Sequence, residues 1–252
     1  MAFLDDPPPI AFAHRGYARD GDENSLAAFQ RAVDLGYRYL ETDVRATADG
    51  VALAFHDSRL DRVTDHRGVV SQLPWSTVHQ ALIAGREPIP LLVDVLDSWP
   101  AIRVNIDVKS SAGVTPVVEA LRRTGAGGRV CVTAFSDRRI AILRDALGPS
   151  VVTGLGPRAA TAVRVAVSRR RPLPPLPGRC LQVPPRFGRV QLVDARLVEA
   201  AHAARLAVHV WTVNDQDEMR RVLDLGVDGV MTDRAVVLRD LLRERGQWPT
   251  GA

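Results

Sequence analysis

Carboxylates recur within runs of the sequence that favour strands. Glu41 and Asp43 are two residues apart in the run Tyr39–Val44, and Asp107 stands two residues before Lys109. Residues two apart in a strand project to the same face, so each pair would point into one space. Three converging carboxylates would repel one another and be costly to desolvate, a cost that a bound cation removes. Ligation by oxygen alone favours one hard divalent cation, Mg²⁺ or Ca²⁺, with Mn²⁺ as a third choice, and not zinc.

Two histidines follow extended runs. His14 comes directly after Ile10–Ala13, and His56 comes directly after Val51–Phe55. An imidazole changes charge near neutral pH, so two histidines at neighbouring strand ends could serve as general base and general acid. Arg15, beside the first histidine, offers a planar fork that can grip a phosphate through two hydrogen bonds. With a cation, these groups suit metal-assisted attack on a phosphodiester.

Lys109 is the only lysine among the 33 basic residues. Its ammonium group is a compact point charge, whereas the guanidinium of arginine is a planar fork. In a chain that uses arginine elsewhere, this lysine marks a place where arginine would not serve, such as contact with a phosphoryl oxygen. Trp211 lies near the end of another extended run and is expected at the rim of the same site, while His209 lies deeper and is expected as a hydrogen-bonded interior histidine.

The strands that carry these residues alternate with amphipathic helical segments along the 252 residues. Eight such repeats predict an α/β fold, a (β/α)8 TIM barrel, in which reactive residues lie at the carboxyl ends of the strands. A doubly wound sheet is the main alternative, but no glycine-rich phosphate-binding fingerprint follows the first strand. The predicted strands are Ile10–Ala13, Tyr39–Val44, Arg103–Val108, Arg129–Phe135, Val151–Leu155, Cys180–Val183, Val208–Val213 and Gly229–Thr232.

Two segments interrupt the alternation, and neither marks a domain boundary. Residues 57–92 contain no clean strand–helix pair and are interpreted as a small insertion after the second strand region. Residues 169–190 are rich in arginine and proline and are interpreted as a long loop around the sixth strand. The chain has no internal repeat or linker, so residues 1–252 are expected to form a single domain.

Composition limits the class of protein. With 46% hydrophobic residues the chain can bury a core, which excludes wholesale disorder. The net charge of +4 is diffuse and aromatic residues are only 5%, so no nucleic-acid partner is expected. Two cysteines suit neither a disulfide framework nor a zinc cage. No apolar stretch approaches the roughly 18 residues of a spanning helix, and the acidic N-terminus is unlike a signal peptide, so we expect a cytoplasmic protein without membrane insertion.

Several motifs together carry a family resemblance. They are, in chain order, Ala13-His14-Arg15-Gly16, Glu23-Asn24-Ser25, Glu41-Thr42-Asp43-Val44, Phe55-His56-Asp57, Asn105-Ile106-Asp107-Val108-Lys109, Trp211-Thr212-Val213-Asn214 and residues 226–234. By these motifs the sequence resembles the glycerophosphodiester phosphodiesterases over nearly its whole length. The resemblance implies a barrel enzyme that splits glycerophosphodiesters, its small-molecule substrates, into glycerol 3-phosphate and an alcohol. It also implies a substrate hydroxyl as the nucleophile, which agrees with the absence of an obvious serine, cysteine or threonine nucleophile motif.

The resemblance also implies roles for individual residues. His14 and His56 correspond to the acid–base pair. The implied metal ligands are Glu41, Asp43 and Asp107, the implied phosphate contacts are Arg15 and Lys109, the pocket residue is Trp211, and the supporting residues are Glu23 and Asn24. The third metal ligand is commonly glutamate in the family. Asp107 is one methylene shorter, which could change the metal preference without abolishing binding.

Two other functions fit parts of the sequence. A phospholipase D-like enzyme acting on lysophospholipids would also use two histidines and a Glu-x-Asp metal site on this barrel, but such secreted enzymes usually carry disulfides and a signal peptide. A catalytically silent barrel that binds phosphodiesters would be favoured by loss of either His14 or His56, and both are present. The alcohol headgroup and the oligomeric state are left open by the sequence.

Overall fold

Eight parallel strands form a nearly closed barrel in the computed structural model, which describes residues 2–249. Their order around the barrel is β5-β4-β3-β2-β1-β8-β7-β6, and a bridge between Gly154 and Cys180 joins the two ends of this series. The predicted TIM-barrel fold is thereby confirmed. The strands are β1 (Ile10–His14), β2 (Tyr39–Ala46), β3 (Arg103–Val108), β4 (Val130–Thr133), β5 (Val152–Thr153), β6 (Cys180–Val183), β7 (Ala207–Val210) and β8 (Gly229–Thr232).

Helices surround the barrel and pack their apolar faces on the strands. The Ser25 hydroxyl accepts the backbone N–H of Ala28 and caps the first of them, and Asp194 caps the seventh in the same way. No helix within residues 2–249 is long and apolar enough to cross a membrane. The helices are α1 (Leu26–Asp34), α2 (Trp75–Val78), α3 (Leu92–Ser98), α4 (Val114–Thr124), α5 (Asp137–Leu147), α6 (Pro157–Ser168), α7 (Ala195–Ala203), α8 (Gln216–Asp224) and α9 (Ala235–Glu244).

The segment 57–92 has a small apolar core of its own. A short strand, Ala52–Ala54, pairs antiparallel with β2 and leads the chain out of the barrel. Beyond it lie a 3₁₀ turn, the four-residue helix α2 and a two-stranded hairpin formed by Leu82–Ile83 and Glu87–Pro88. The side chains buried together here are Leu60, Val70, Val78, Ala81, Ile83 and Ile89 of the segment and Leu53 and Phe55, which precede it.

Three strands are shorter than the sequence predicts. β4, β5 and β7 end at Thr133, Thr153 and Val210, whereas the predicted runs extend further. The residues beyond these ends are apolar because they are still buried: Leu155 and Val213 belong to the hydrophobic core, although each keeps only one backbone hydrogen bond to a neighbouring strand, to the carbonyls of Cys180 and Met231. Burial outside the ladder gives the same apolar pattern as burial within it, so the pattern overstates the length of these strands.

Aromatic rings fill the interior of the barrel. Phe3 and Phe12 are fully buried, and each packs edge-on or tilted against Tyr39, whose hydroxyl donates to the Phe3 carbonyl at 2.8 Å. A Cβ at Gly229 would lie 2.7 Å from the Phe12 ring and 3.0 Å from the His209 ring, so only glycine leaves room for both. This packing closes the end of the barrel opposite the carboxyl ends of the strands.

We predict that Phe12→Ala lowers the free energy of unfolding by about 3–5 kcal/mol, because it empties a fully buried ring site. Phe187→Ala, at a ring that is 76% exposed, is the matched control and should change it by less than about 0.5 kcal/mol. Urea denaturation of both variants measures the difference. Equal effects of the two substitutions would contradict this description of the core.

Candidate active site

The register of neighbouring strands brings the predicted site residues together. His14 at the end of β1 lies beside Glu41 on β2, and Asp43 lies beside Asp107 on β3. Both pairs open on a cavity of about 560 Å³ at the carboxyl ends of the strands. The cavity is lined by eight of the ten predicted site residues: His14, Arg15, Glu41, Asp43, His56, Asp107, Lys109 and Trp211. A second cleft, of about 610 Å³, lies beside Tyr37 and Trp248 and contains none of them.

Positive side chains occupy the space between the carboxylates. The Nζ atom of Lys109 lies 2.7 Å from Oδ1 of Asp43 and 2.6 Å from Oδ2 of Asp107. On the other side of Asp43, the Nε atom of Arg15 lies 2.8 Å from Oδ2 of Asp43. The two groups form an ion pair, but their geometry does not meet the criteria for a hydrogen bond. The two cations implied to contact phosphate therefore neutralise the buried carboxylates in this structure.

The three carboxylates respond differently to their surroundings. Burial, reinforced by the nearby charge of Asp43, raises the pKa of Glu41 to about 7. Burial also raises the pKa of Asp107, although Lys109 opposes the shift. Burial acts in the same direction on Asp43, but there Lys109 and Arg15 outweigh it and lower the pKa. The positive charge of Lys109 and Arg15 thus favours the ionised form of Asp43, whereas Glu41 and Asp107 bind a proton more readily than exposed carboxylates do.

The donor set fits a hard cation, although it is not arranged around an open metal position. Within residues 2–249, no group of three or more histidine, cysteine, aspartate or glutamate side chains is placed to hold a metal ion. The ammonium of Lys109 lies between Asp43 and Asp107 and contacts both. Yet Oδ1 of Asp107 is buried without a hydrogen-bond partner, and all the acidic donors are oxygens of the kind that Mg²⁺ and Ca²⁺ prefer.

His14 is held by a carboxylate that the sequence analysis did not single out. Its Nδ1 atom lies 2.6 Å from Oδ1 of Asp233, which directly follows β8. Asn214 donates to Oδ2 of the same carboxylate at 2.7 Å and accepts the Asp233 backbone N–H at 2.9 Å. Burial opposes protonation of the imidazole, but Glu41 and Asp233 outweigh it and raise the pKa of His14. Two signals in the sequence point to Asp233, its place in the motif of residues 226–234 and its position at the carboxyl end of a barrel strand.

His56 has a similar arrangement on the opposite side of the cavity. Its Nδ1 atom lies 2.6 Å from Oδ1 of Asp57, and Arg62 donates to both oxygens of that carboxylate. The hydrogen bond from Arg62 lowers the pKa of Asp57 to about 2, so the partner of the imidazole stays ionised. Arg45 anchors the backbone by donating to the His56 carbonyl at 2.9 Å. A carboxylate contact at Nδ1 fixes each imidazole and leaves Nε2 for a substrate.

Glu23 and Asn24 lie behind the cavity wall. Glu23 accepts hydrogen bonds from Arg15 at 2.8 Å and from Arg62 at 2.7 Å, and so joins the two sides of the site. Asn24 donates to Asp43 at 3.3 Å and accepts the Thr42 hydroxyl at 2.8 Å. Both residues therefore contact side chains that line the cavity, and their supporting role stays a prediction.

The remaining wall of the cavity is mainly apolar. Trp211 and Phe135 meet edge to face with ring centroids 5.3 Å apart, and Leu155 continues the same wall. Deeper in the barrel, His209 differs from expectation: Gln182 reaches Nδ1 at 3.2 Å, but the buried Nε2 has no hydrogen-bond partner. Burial lowers the pKa of His209 to about 4, so this histidine is neutral and does not resemble the two at the rim.

Comparison with solved structures agrees with this architecture. A glycerophosphoryl diester phosphodiesterase from Silicibacter pomeroyi, described as putative, superposes with a TM-score of 0.80 at 23% identity, over 97% of this chain and 96% of that one. A phosphodiesterase from Oleispira antarctica, solved with its product sn-glycerol-3-phosphate, gives a TM-score of 0.77 at 22% identity, over 93% and 97% of the two chains. Both likenesses support the barrel fold.

Sequence comparison identifies the family. A protein of Mycobacterium tuberculosis, named probable glycerophosphodiester phosphodiesterase 2, is 40% identical over 98% of this chain and 96% of its own length. Residues 14–237 match the profile of the glycerophosphoryl diester phosphodiesterase family, and this range contains every predicted site residue. The resemblance drawn from the motifs is therefore confirmed: this chain is an enzyme of the glycerophosphoryl diester phosphodiesterase family.

Proposed function

We propose that this enzyme hydrolyses glycerophosphodiesters to glycerol 3-phosphate and an alcohol, with the cavity at the carboxyl ends of the strands as its active site. The observation that carries the proposal is the pairing of His14 with Asp233 and of His56 with Asp57, both beside one carboxylate cluster. Acid–base catalysis at a phosphodiester needs two proton-transfer groups around one reacting centre. The product bound to the Oleispira phosphodiesterase supports glycerol 3-phosphate as the product here.

The carboxylates Glu41, Asp43 and Asp107 would hold one divalent cation, which supplies Lewis-acid polarisation of a phosphoryl oxygen when bound. Lys109 would then compete with the cation for Asp43 and Asp107, so its ammonium group becomes available to a phosphate oxygen. Arg15 keeps its second partner, Glu23, and can remain oriented at the cavity while it contacts the phosphate. The roles implied for Arg15 and Lys109 are therefore proposed for the loaded enzyme.

The two histidines would divide the proton transfers. One imidazole Nε2 accepts the proton of the glycerol 2-hydroxyl as its oxygen bonds to phosphorus, and the other donates a proton to the oxygen of the departing alcohol. The P–O bond to the alcohol breaks, and water then opens the resulting cyclic phosphate with the proton transfers reversed. Asp233 and Asp57 hold the two rings in place through Nδ1 and stabilise the protonated state of whichever imidazole has taken up the proton.

The reaction class is tested by measuring release of glycerol 3-phosphate from glycerophosphocholine, glycerophosphoethanolamine and glycerophosphoglycerol. We expect release with at least one of Mg²⁺, Ca²⁺ and Mn²⁺ and loss of activity in EDTA, restored by excess metal. Lysophosphatidylcholine belongs in the same panel. Folded protein that cleaves only the lysophospholipid, or that cleaves nothing with any metal, would contradict the proposed function, and indifference to EDTA would contradict the metal.

We predict that His14→Ala and His56→Ala each lower kcat by roughly 10²–10⁴-fold, because each removes a proton-transfer group. The matched control is His79→Ala, at an exposed histidine in the 57–92 insertion, which should leave kcat unchanged. Circular dichroism and thermal unfolding establish that each variant is folded. Turnover close to that of the unmodified enzyme in either rim variant would disprove the acid–base assignment.

A further inference from the structure

A small hairpin with an uncovered apolar face follows β6. We call residues 186–191 the rim hairpin: Arg186–Phe187 pairs antiparallel with Val190–Gln191, and all six residues are exposed. Phe187 lies directly opposite Val190, so their side chains share one face of the ribbon. These two side chains are 76% and 60% exposed. Two neighbouring large apolar side chains left open to water at a hairpin tip suit contact with something outside the chain.

The rim hairpin stands at the mouth of the active-site cavity. It leaves the carboxyl end of β6, and Phe187 lines the cavity with its inner edge. Phe135, which follows β4 on the same end of the barrel, is 60% exposed and also reaches the cavity. A surface that covered the rim hairpin would therefore face the cavity mouth.

The stretch of sequence that contains this hairpin is one-sided in charge. Between Asp145 and Asp194 the chain contains no acidic residue and has eight arginines, two of them in the rim hairpin. The eight are Arg158, Arg164, Arg169, Arg170, Arg171, Arg179, Arg186 and Arg189. Exposed arginines at the cavity end of the barrel include the two hairpin residues and Arg158, the second residue of α6.

Two acidic residues near the hairpin are paired within their own helix. The start of α8 carries Asp217 and Glu218, but Arg220 lies 3.0 Å from the first and Arg221 lies 2.8 Å from the second. These pairs are within the helix, and their net charge is zero. Within residues 2–249, neither Arg186 nor Arg189 forms an ion pair, so the hairpin carries two exposed positive charges beside its apolar face.

We propose that the rim hairpin docks the enzyme on an anionic phospholipid surface, with Phe187 and Val190 in the interfacial layer and Arg186 and Arg189 on lipid phosphates. An apolar pair alone would fit a second copy of the chain equally well. The flanking arginines favour the anionic bilayer, because two copies meeting at this hairpin would bring like charges together. Docking of this kind is peripheral and presents the cavity mouth to the membrane surface.

The test is co-sedimentation of the enzyme with vesicles of phosphatidylcholine alone or of an equal mixture of phosphatidylcholine and phosphatidylglycerol. We expect binding to the mixed vesicles that weakens as salt is raised. The double variant Arg186→Gln/Arg189→Gln should bind about 25-fold more weakly, about fivefold for each arginine. Val190→Ser should also weaken binding, and the matched control Arg123→Gln, at the end of α4 that lies at the opposite end of the barrel, should not.

Hydrolysis of glycerophosphocholine in solution separates this proposal from the proposed function. Arg189→Gln and Val190→Ser should hydrolyse it at the rate of the unmodified enzyme, since neither residue lines the cavity. Absence of binding to the mixed vesicles, or equal binding by the double variant, would overturn the proposal. A stable dimer in analytical ultracentrifugation that dissociates on Val190→Ser would also overturn it, by showing that a second copy covers the hairpin.

Discussion

Three carboxylates buried at adjacent strand ends impose the constraint around which the site is built. The parallel register places Asp43 beside Asp107, and Glu41 projects into the same cavity. Such a cluster withdraws charge from water and is tolerated only with positive charge at hydrogen-bonding distance. Lys109 and Arg15 supply that charge here. Burial and the charge of Asp43 nevertheless raise the pKa of Glu41 to about 7, so these two cations do not fully offset the desolvation of the cluster.

Each histidine is held by its own set of neighbouring polar side chains, and on one side these form a chain of ion pairs that reaches the carboxylate cluster. On one side, Glu23 contacts Arg15 and Arg62, and Arg62 continues to Asp57 and His56. Arg62 belongs to the 57–92 insertion, so that segment helps to position Asp57 and, through it, the His56 imidazole. On the other side of the cavity, Asn214 and Asp233 hold His14 without any arginine. The different partners give the two imidazoles different electrostatic surroundings within one cavity.

The barrel and most of the site could be predicted because the signals are local. Spacing of two along a strand identified Glu41 and Asp43, and position at a strand end identified His14 and His56. The contact between His14 and Asp233 joins residues 219 positions apart and depends on closure of the barrel between β1 and β8. The periodic pattern of apolar residues along the sequence does not predict a contact between residues so far apart.

Other differences arise where burial and pairing have separate causes. Val213 is buried in the core although β7 ends at Val210, so the apolar run that contains it predicts a longer strand. Lys109 is singled out by its rarity in the sequence, but its contact with two carboxylates depends on how charge is balanced once the strands are folded. The balance of charge involves side chains at the ends of β1, β2 and β3, so it cannot be predicted from any one of these segments alone.

The central claim is that a divalent cation belongs among Glu41, Asp43 and Asp107, where Lys109 now lies. Crystals soaked in Mn²⁺ and measured for anomalous scattering test it directly. We predict a single strong peak between the three carboxylates, with the Lys109 ammonium moved away from Asp43 and Asp107, and no peak in crystals of Asp43→Asn. Lys109 still bridging Asp43 and Asp107, with no peak beside them in a fully active enzyme, would contradict the claim.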